Sequence, residues 1–226
     1  MTADGLTQVA AAGGQMGLAK EELLKFTEMA AKTAVAFDIT AESAGDTIGK
    51  IKNILSLSLD ETGEMMDVIN HLSNNNAAKA SEIVEVMKRI AGIGKQVGLA
   101  KEQTAALAST FISLGKAPET AATASEALLK KLNNLSSLSE DKQKAFEETG
   151  LSVNKFAKAM KTDAQGAVLQ FLEAMSKVEP QRRGALLTTI MVGGLIACMF
   201  WYISAPLLVL FVIAKICKSK SSNAAL

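Results

Sequence analysis

Few residues of this chain have the type and spacing that catalysis requires. His71 is the single histidine, and an imidazole acts as a general acid or base only beside a reacting group. No serine or cysteine accompanies it in a nucleophile motif. Because His71 falls at the predicted end of a helix, we expect it to bond the last helical carbonyl groups instead.

Paired glutamates could serve as general acid and base if a cleft brought them together. Their positions on helical patterns favour solvated helix faces instead. The glycine pair Gly92 and Gly94 lacks the third glycine and the preceding strand of a dinucleotide-binding loop, so it predicts a helix stop. We therefore expect no enzyme activity and no catalytic or cofactor-binding residues. The glutamate pairs are Glu21 with Glu22, Glu82 with Glu85, and Glu147 with Glu148.

The composition favours helices and argues against a nucleic-acid binder. Lys and Arg number 24 against 23 Asp and Glu, whereas a nucleic-acid-binding domain normally carries a basic excess. Aromatic residues make up 4% of the chain and proline only three residues, which disfavours a β-sandwich or barrel. One histidine and two cysteines are too few for most zinc sites or a disulfide framework. We expect an all-α fold with no metal and no cofactor.

The distribution of charge divides the chain near residue 184. Residues 1–183 carry 21 of the Lys and Arg residues and all 23 acids, and residues 184–226 carry three lysines and no acid. No charged residue occurs from 184 to 214. The first part therefore reads as a water-exposed helical region and the second as a segment suited to a membrane.

The uncharged segment is long enough to cross a bilayer. Residues 190–214, IMVGGLIACMFWYISAPLLVLFVIA, would run about 37 Å as a helix, against roughly 30 Å of hydrocarbon in a bilayer. A buried core helix is the alternative, but such helices rarely lack a polar face for so long. The sequence predicts a transmembrane helix over 187–214, followed by a short basic tail over 215–226.

Several residues define the predicted span. Pro206 should kink the helix, and Gly193 with Ala197 forms a small-residue pair of the kind that favours helix association. Trp201 falls in the middle of the segment rather than at an interface. Basic residues flank both sides, so either orientation is open. The candidate membrane and association residues are Gly193, Ala197, Trp201, Pro206 and Leu207.

Apolar residues recur at helical spacing through residues 1–183. Capping boxes at Ser58–Glu61 and Thr162–Gln165 mark two helix starts, and Asn74–Asn76 marks a turn. The predicted helices cover 20–37, 44–55, 59–71, 80–90 closed by Gly92 and Gly94, 104–114 closed by Gly115, 118–135, 139–148, 152–160 and 162–178.

The chain contains an internal repeat. The pentapeptide GLAKE at Gly17–Glu21 returns at Gly98–Glu102. The helix pattern after each pentapeptide agrees as well. The copies, about 14–55 and 95–136, each predict two amphipathic helices with a short break, so we expect repeated αα-hairpins that bury their apolar stripes on each other.

Three stretches resemble the conserved core region of phage tail tape measure proteins. Their order and spacing match the family's helix starts, its Asn/Ser-rich turn and its basic Arg-Arg-Gly-Ala-Leu-Leu stretch. The resemblance extends from about residue 14 to residue 190. The stretches are GLAKEQTAALASTFISLGKAPETAATASEALLKKLNNL (98–135), VINHLSNNNAAKASEIVEVMKRIAGIGKQVGLA (68–100) and PQRRGALLTTI (180–190).

The resemblance implies a structural role and no catalysis. Members of the family lie in the tail tube, set tail length, begin tube polymerisation with assembly chaperones and leave with the DNA at infection. Several members carry hydrophobic segments thought to enter the host inner membrane. At 226 residues this chain is short for a whole ruler, so the resemblance implies a fragment or a truncated prophage copy.

Two classes of function remain open from the sequence. The first is a tape measure fragment, located in the tail lumen during assembly or in the membrane through residues 187–214. We expect such a protein to be a homo-oligomer with tail tube and assembly chaperone partners, and without specific nucleic-acid binding. The second is a small single-pass membrane protein, holin-like or pore-forming, although a chain whose polar-patterned part extends over residues 1–183 fits that class poorly.

Overall fold

A computed structural model describes residues 3–15 and 17–191, and every regular element within those ranges is helical. The predicted all-α class is therefore confirmed. A 3-10 turn, Leu135–Ser137, follows α7. The α-helices are α1 (Ala3–Gln15), α2 (Lys20–Phe37), α3 (Ala41–Leu55), α4 (Leu59–Asn75), α5 (Ala80–Gln96), α6 (Lys101–Ser113), α7 (Pro118–Asn133), α8 (Glu140–Glu147), α9 (Val153–Thr162), α10 (Ala164–Lys177) and α11 (Pro180–Met191).

Several helix ends differ from the predictions for identifiable reasons. Helix α4 runs past the predicted end at His71 because asparagine side chains support its last turn. The side-chain amide nitrogen of Asn75 donates to the His71 carbonyl at 2.8 Å, and that of Asn76 donates to the Leu72 carbonyl at 3.0 Å. Helix α10 begins later than predicted, because Asp163 rather than Thr162 accepts the Gly166 N–H, at 2.9 Å.

Most of the early helices are followed by a residue in the left-handed backbone conformation, which ends the helix and changes the direction of the chain. Gly17, Gly98 and Gly115 have φ of 74°, 86° and 75°, values that glycine adopts without steric cost. Asp38 and Ser56 adopt φ of 53° and 55° at the ends of α2 and α3. At Gly98 the amide donates to the Lys95 carbonyl and the next amide to the Gly94 carbonyl, the pattern of a Schellman cap.

The residues of the chain group into two compact units. Among the described residues, the first holds those up to Gly92 together with Leu107–Ala122, and the second holds Ile93–Ala106 and those from Thr123 to Met191. Helices α5, α6 and α7 thus contribute residues to both units. Helix α6 is buried on nearly all sides, from Thr104 to Ile112, with alanine and serine at many positions.

Phe26 organises the core of the first unit. Its side chain is fully buried. A Cβ placed on Gly13 of α1 would come within 2.9 Å of the Phe26 ring, and one on Gly45 of α3 within 3.6 Å. Two positions without side chains therefore let α1 and α3 approach the ring closely, which compensates for the low aromatic content of the chain.

Three phenylalanines form an aromatic cluster in the core of the second unit. Phe146 of α8 stacks on Phe171 of α10 with ring centroids 5.6 Å apart, and Phe156 of α9 meets Phe146 edge-on at 4.9 Å. All three side chains are buried. Because each ring comes from a different helix, this cluster fixes the packing of α8, α9 and α10.

The two copies of the predicted repeat have corresponding features. Helices α1 and α5 end at Gln15 and Gln96, and α2 and α6 begin at Lys20 and Lys101, so these ends keep the offset of the two GLAKE pentapeptides. The starts of α2 and α6 are also capped alike, because the side chain three residues on accepts the N–H of the residue before the helix in both copies.

The two copies of the repeat differ after the starts of α2 and α6. Helix α6 is shorter than α2, 13 residues against 18. Helix α7 therefore begins earlier in the second copy than α3 does in the first. Duplication of the segment remains a prediction.

The predicted transmembrane part of the fold is not supported within the described ranges. No helix of residues 3–15 and 17–191 is long and apolar enough to cross a membrane. The first residues assigned to the span, 187–191, instead form the last turn of α11, where Leu187, Ile190 and Met191 are buried. The rest of the predicted span and the basic tail, residues 192–226, lie outside the described residues.

Gly94 is required for helix packing rather than for ending α5, and this role is testable. A Cβ on Gly94 would lie 2.5 Å from the Thr104 hydroxyl oxygen, whereas one on Gly92 would meet nothing within 4 Å. We expect Gly94→Ala to lower the free energy of unfolding by about 1–3 kcal/mol through overpacking. Gly92→Ala should raise it by up to about 1 kcal/mol through helix propensity.

Chemical denaturation of the full chain in detergent measures both changes. Thr104→Ala removes both the hydroxyl and the methyl group that a Cβ on Gly94 would meet, so it should recover part of the loss in the double variant. Equal effects of the two glycine substitutions would contradict this role for Gly94.

Candidate functional site

His71 is exposed, and the paired glutamates lie at exposed positions except Glu82 and Glu85, which are half-buried. The His71 side chain is exposed in the last turn of α4, and its Nδ1 lies 3.4 Å from the Asn75 side-chain nitrogen. The expected bond from the imidazole to the last carbonyls is not formed, because Asn75 and Asn76 donate there instead. Within the described ranges, no group of three or more His, Cys, Asp and Glu side chains could hold a metal ion.

The glutamates have structural contacts. Glu82 accepts the backbone N–H of Lys79 at the start of α5, at 3.1 Å. Glu85 lies 3.3 Å from Lys88 and 3.7 Å from Arg89. These carboxylates cap helices or form ion pairs on the surface, as the sequence predicted for solvated helix faces.

Two adjacent arginines attach α11 to the ends of α8 and α10. Arg182 donates to a single carboxylate oxygen of Glu148, at 3.0 Å from Nε and 2.6 Å from Nη2. Arg183 donates through Nη2 to the carbonyls of Ser176 and Val178, at 2.8 and 2.9 Å. Arg183 thus binds carbonyl groups left free where α10 ends, while Arg182 links α11 to the end of α8.

Buried leucines complete this contact. Leu186 and Leu187 follow the arginines on α11 and are 2% exposed. The sequence Arg-Arg-Gly-Ala-Leu-Leu therefore combines two polar contacts with an apolar anchor. This stretch carried the resemblance to tape measure proteins, and in the structure it holds the last described helix in place.

The candidate membrane and association residues fall beyond this helix. Gly193, Ala197, Trp201, Pro206 and Leu207 lie outside the described residues. The structure brings none of them into a described site. Their assignment rests on the sequence pattern alone.

Helix α2 carries an apolar surface that sequence reasoning missed. Leu24 and Val35 are 77% and 81% exposed, the largest values among the exposed large apolar residues of the described ranges. They lie on one face with Glu28 and Ala31, and we call these four residues the α2 seam. The buried stripe through Phe26 is the stronger signal in the sequence, but the 4-3-4 spacing of the opposite face could have revealed the seam.

An ion pair accompanies the α2 seam. Lys32 Nζ lies 2.8 Å from Glu28 Oε1, one helical turn away. The hydrogen bond and the charge of Lys32 lower the pKa of the Glu28 carboxyl from its ordinary value. Both side chains are exposed, so the pair adds little to the stability of the isolated chain.

Residues 1–191 match the phage-related minor tail protein family, and the chain belongs to that family. A structural role in the phage tail follows from this membership.

A curated relative makes the similarity more specific. The chain is 26% identical over 187 residues to a protein named "Probable tape measure protein" from Halomonas phage phiHAP-1, a match that covers 79% of this chain and 22% of the relative. The chain therefore spans about a fifth of the length of that relative. No solved structure matches the chain. The resemblance to tape measure proteins found in the sequence is confirmed.

The two arginines should differ in their effect on stability. Arg183→Met leaves carbonyl groups at the end of α10 without a donor, so we expect a loss of about 1.5–3 kcal/mol in the free energy of unfolding. Arg182→Met removes an exposed ion pair and should cost no more than about 1 kcal/mol. Chemical denaturation of the two full-length variants measures the difference, and a larger loss for Arg182→Met would contradict it.

Proposed function

We propose that the chain is a segment of a tape measure protein that sets tail length and supports assembly of the tail tube. The observation that carries this proposal is the family match over residues 1–191, joined by similarity to a probable tape measure protein. Because the chain spans about a fifth of that relative, the length of the tail is a property of the whole protein rather than of this segment.

The described residues act in this proposal as a folded part of the tape measure. A helix advances about 1.5 Å per residue only while it continues without a break. The longest described helix, α2, has 18 residues and reaches about 27 Å. Since the described helices group into compact units, this segment acts in the proposal as folded units and not as one continuous helix.

The proposed partners are other copies of the chain, the tail tube protein and the tail assembly chaperones. The proposed location is the lumen of the tail during assembly. The role is non-enzymatic, and no specific nucleic-acid binding belongs to it. The near balance of 24 basic against 23 acidic residues supports this last point.

Membrane insertion is the second part of the proposal. Since residues 187–191 pack in α11, insertion would begin after Met191. Residues 192–214 contain no charged side chain and would reach about 35 Å as a helix, enough to cross a bilayer. This segment would insert into the host membrane after the protein leaves the tail.

A phage that encodes this chain provides the test of the structural role. Leu132 is fully buried, and Leu132→Asp places an unpaired charge in the core without changing chain length. We expect about tenfold fewer complete tails, with normal length among those that form, because residue number is unchanged. Electron microscopy measures the number and length of the tails.

Lys130→Ala is the matched control, because Lys130 is exposed and its ion pair is with Glu126 on the same helix. Its tails should be normal in number. Normal tail numbers with Leu132→Asp, or normal tails after deletion of the gene, would contradict the proposal. Intact tails combined with blocked lysis would instead favour the holin-like alternative.

Fractionation of the full chain tests the membrane segment separately. After expression in bacteria, the wild-type chain should remain in the membrane pellet through a carbonate wash. Leu207→Arg places a charge at mid-span and should cost roughly 2.5–3.5 kcal/mol of insertion free energy, which moves the chain to the soluble or aggregated fraction. Ser221→Arg adds the same charge in the basic tail and should change nothing. Complete extraction of the wild-type chain by carbonate would contradict insertion.

A further inference from the structure

The charged side chains of helix α9 are all basic. Lys155, Lys158 and Lys161 are exposed at every third position of the helix, which contains no acid. None of the three lysines forms an ion pair within the described ranges. The opposite side of α9 is buried in the second unit through Phe156, so the lysines stay at the surface. We call them the α9 basic face.

Helix α4 has the opposite character. It contains four acids and neither Lys nor Arg. Asp60, Glu64 and Asp67 are exposed on one side of the helix, at steps of four and three, and we call them the α4 acidic face. Asp60 pairs with Lys25 of α2, yet its side chain remains 71% exposed. Glu64 and Asp67 form no ion pair among the described residues.

The two compact units carry opposite net charge. The sequence of the first unit has nine Lys and Arg against 14 Asp and Glu, whereas that of the second unit up to Met191 has 12 Lys and Arg against nine Asp and Glu. The α4 acidic face belongs to the acidic unit and the α9 basic face to the basic unit. Attraction between units of different copies therefore extends beyond the six side chains of the two faces.

We propose that the α9 basic face of one copy of this chain binds the α4 acidic face of another copy. The two faces match in charge, with three lysines against three carboxylates. They also match in length, because their charges extend about 9 Å along α9 and about 10.5 Å along α4. The inference deepens the homo-oligomeric part of the proposed function, on which it rests, by naming the surfaces that join the copies.

The contact is head-to-tail, because the two faces differ. Each copy has one face of each kind and joins two neighbours, so the copies form a row or, where the rotation between neighbours closes, a ring. Exposed ion pairs contribute only about 0.2–1 kcal/mol each and are screened by salt. The contact is therefore weak and requires a high local concentration of copies, as an assembling structure provides.

A nucleic acid is another polyanion that a row of lysines attracts. The chain as a whole has 24 basic against 23 acidic residues, which disfavours this partner. A nucleic acid would also leave the α4 acidic face without a partner. A second copy accounts for both faces at once, so the observations favour it.

Charge reversal on each face, followed by mixing, tests the contact. The full chain is purified in non-ionic detergent as the wild type, as an α9 variant with Lys155→Glu and Lys158→Glu, and as an α4 variant with Glu64→Lys and Asp67→Lys. Each variant alone should associate about tenfold more weakly than the wild type, because attraction becomes repulsion. The mixture of the two variants should regain association, since the reversed α9 face then meets the reversed α4 face.

Analytical ultracentrifugation at about 0.1 M salt measures this association, and the wild type should lose it at about 1 M salt. Lys79→Glu combined with Lys95→Glu is the matched control. It changes net charge as much as the α9 variant does, at exposed positions outside both faces, and should associate like the wild type. Equal association of all these proteins, or a mixture that associates no better than either variant alone, would overturn the proposal. Recovery in the mixture also shows that both variants are folded.

Zero-length cross-linking identifies the residues in contact. A carbodiimide joins a lysine amine to a carboxylate that touches it, and a mixture of isotope-labelled and unlabelled chains separates links between copies from links within one copy. Mass spectrometry should find links between copies that join the α9 basic face to the α4 acidic face. Links found only within one copy would overturn the proposal.

A short DNA duplex tests the other partner. If the wild type and the α4 variant bind the duplex, the α9 variant does not, and the wild-type copies do not associate, the proposal is overturned in favour of a nucleic acid. Because these experiments use purified protein, their failure leaves the tail-assembly result unchanged, and the two proposals can fail independently.

Discussion

Close approach of helices at positions without side chains is the constraint on which this fold depends. With aromatic residues at 4% of the chain, few rings are available for the core, and small residues let the helices approach one another closely around them. Gly13 and Gly45 let α1 and α3 contact the ring of Phe26, and Gly94 lets α5 contact Thr104 of α6. The alanine-rich helix α6 extends the same solution, because its small side chains allow burial on nearly all sides.

Short, capped helices are a second feature of this fold. Residues in the left-handed backbone conformation, such as Gly98 and Asp38, end helices and redirect the chain. The described residues therefore group into two compact units that are each built from several short helices.

Features set by neighbouring residues in the chain could be predicted, and features set by distant contacts could not. The bounds of α2 and the cap at Ser58 follow from local spacing, and both are confirmed. Helix α1 has three glycines and few large apolar residues, so it shows no stripe, and its contact with Phe26 is visible only in three dimensions. Gly94 was predicted to end a helix, whereas in the structure it packs against the Thr104 side chain. A sequence does not show that contact.

Residues 187–191 were assigned to the predicted transmembrane helix, whereas they belong to α11, for a similar reason. Residues 187–191 are apolar and uncharged, so by composition they belong with the segment that follows. In the structure Arg183 binds the end of α10, which fixes α11 so that Leu187 and Ile190 face the core. A buried helix and a membrane helix share the same residue types, so composition does not distinguish them. Here the hydrogen bonds of Arg183 to the end of α10 show that residues 187–191 belong to a packed helix. The arginine pair therefore attaches the last described helix to the ends of α8 and α10.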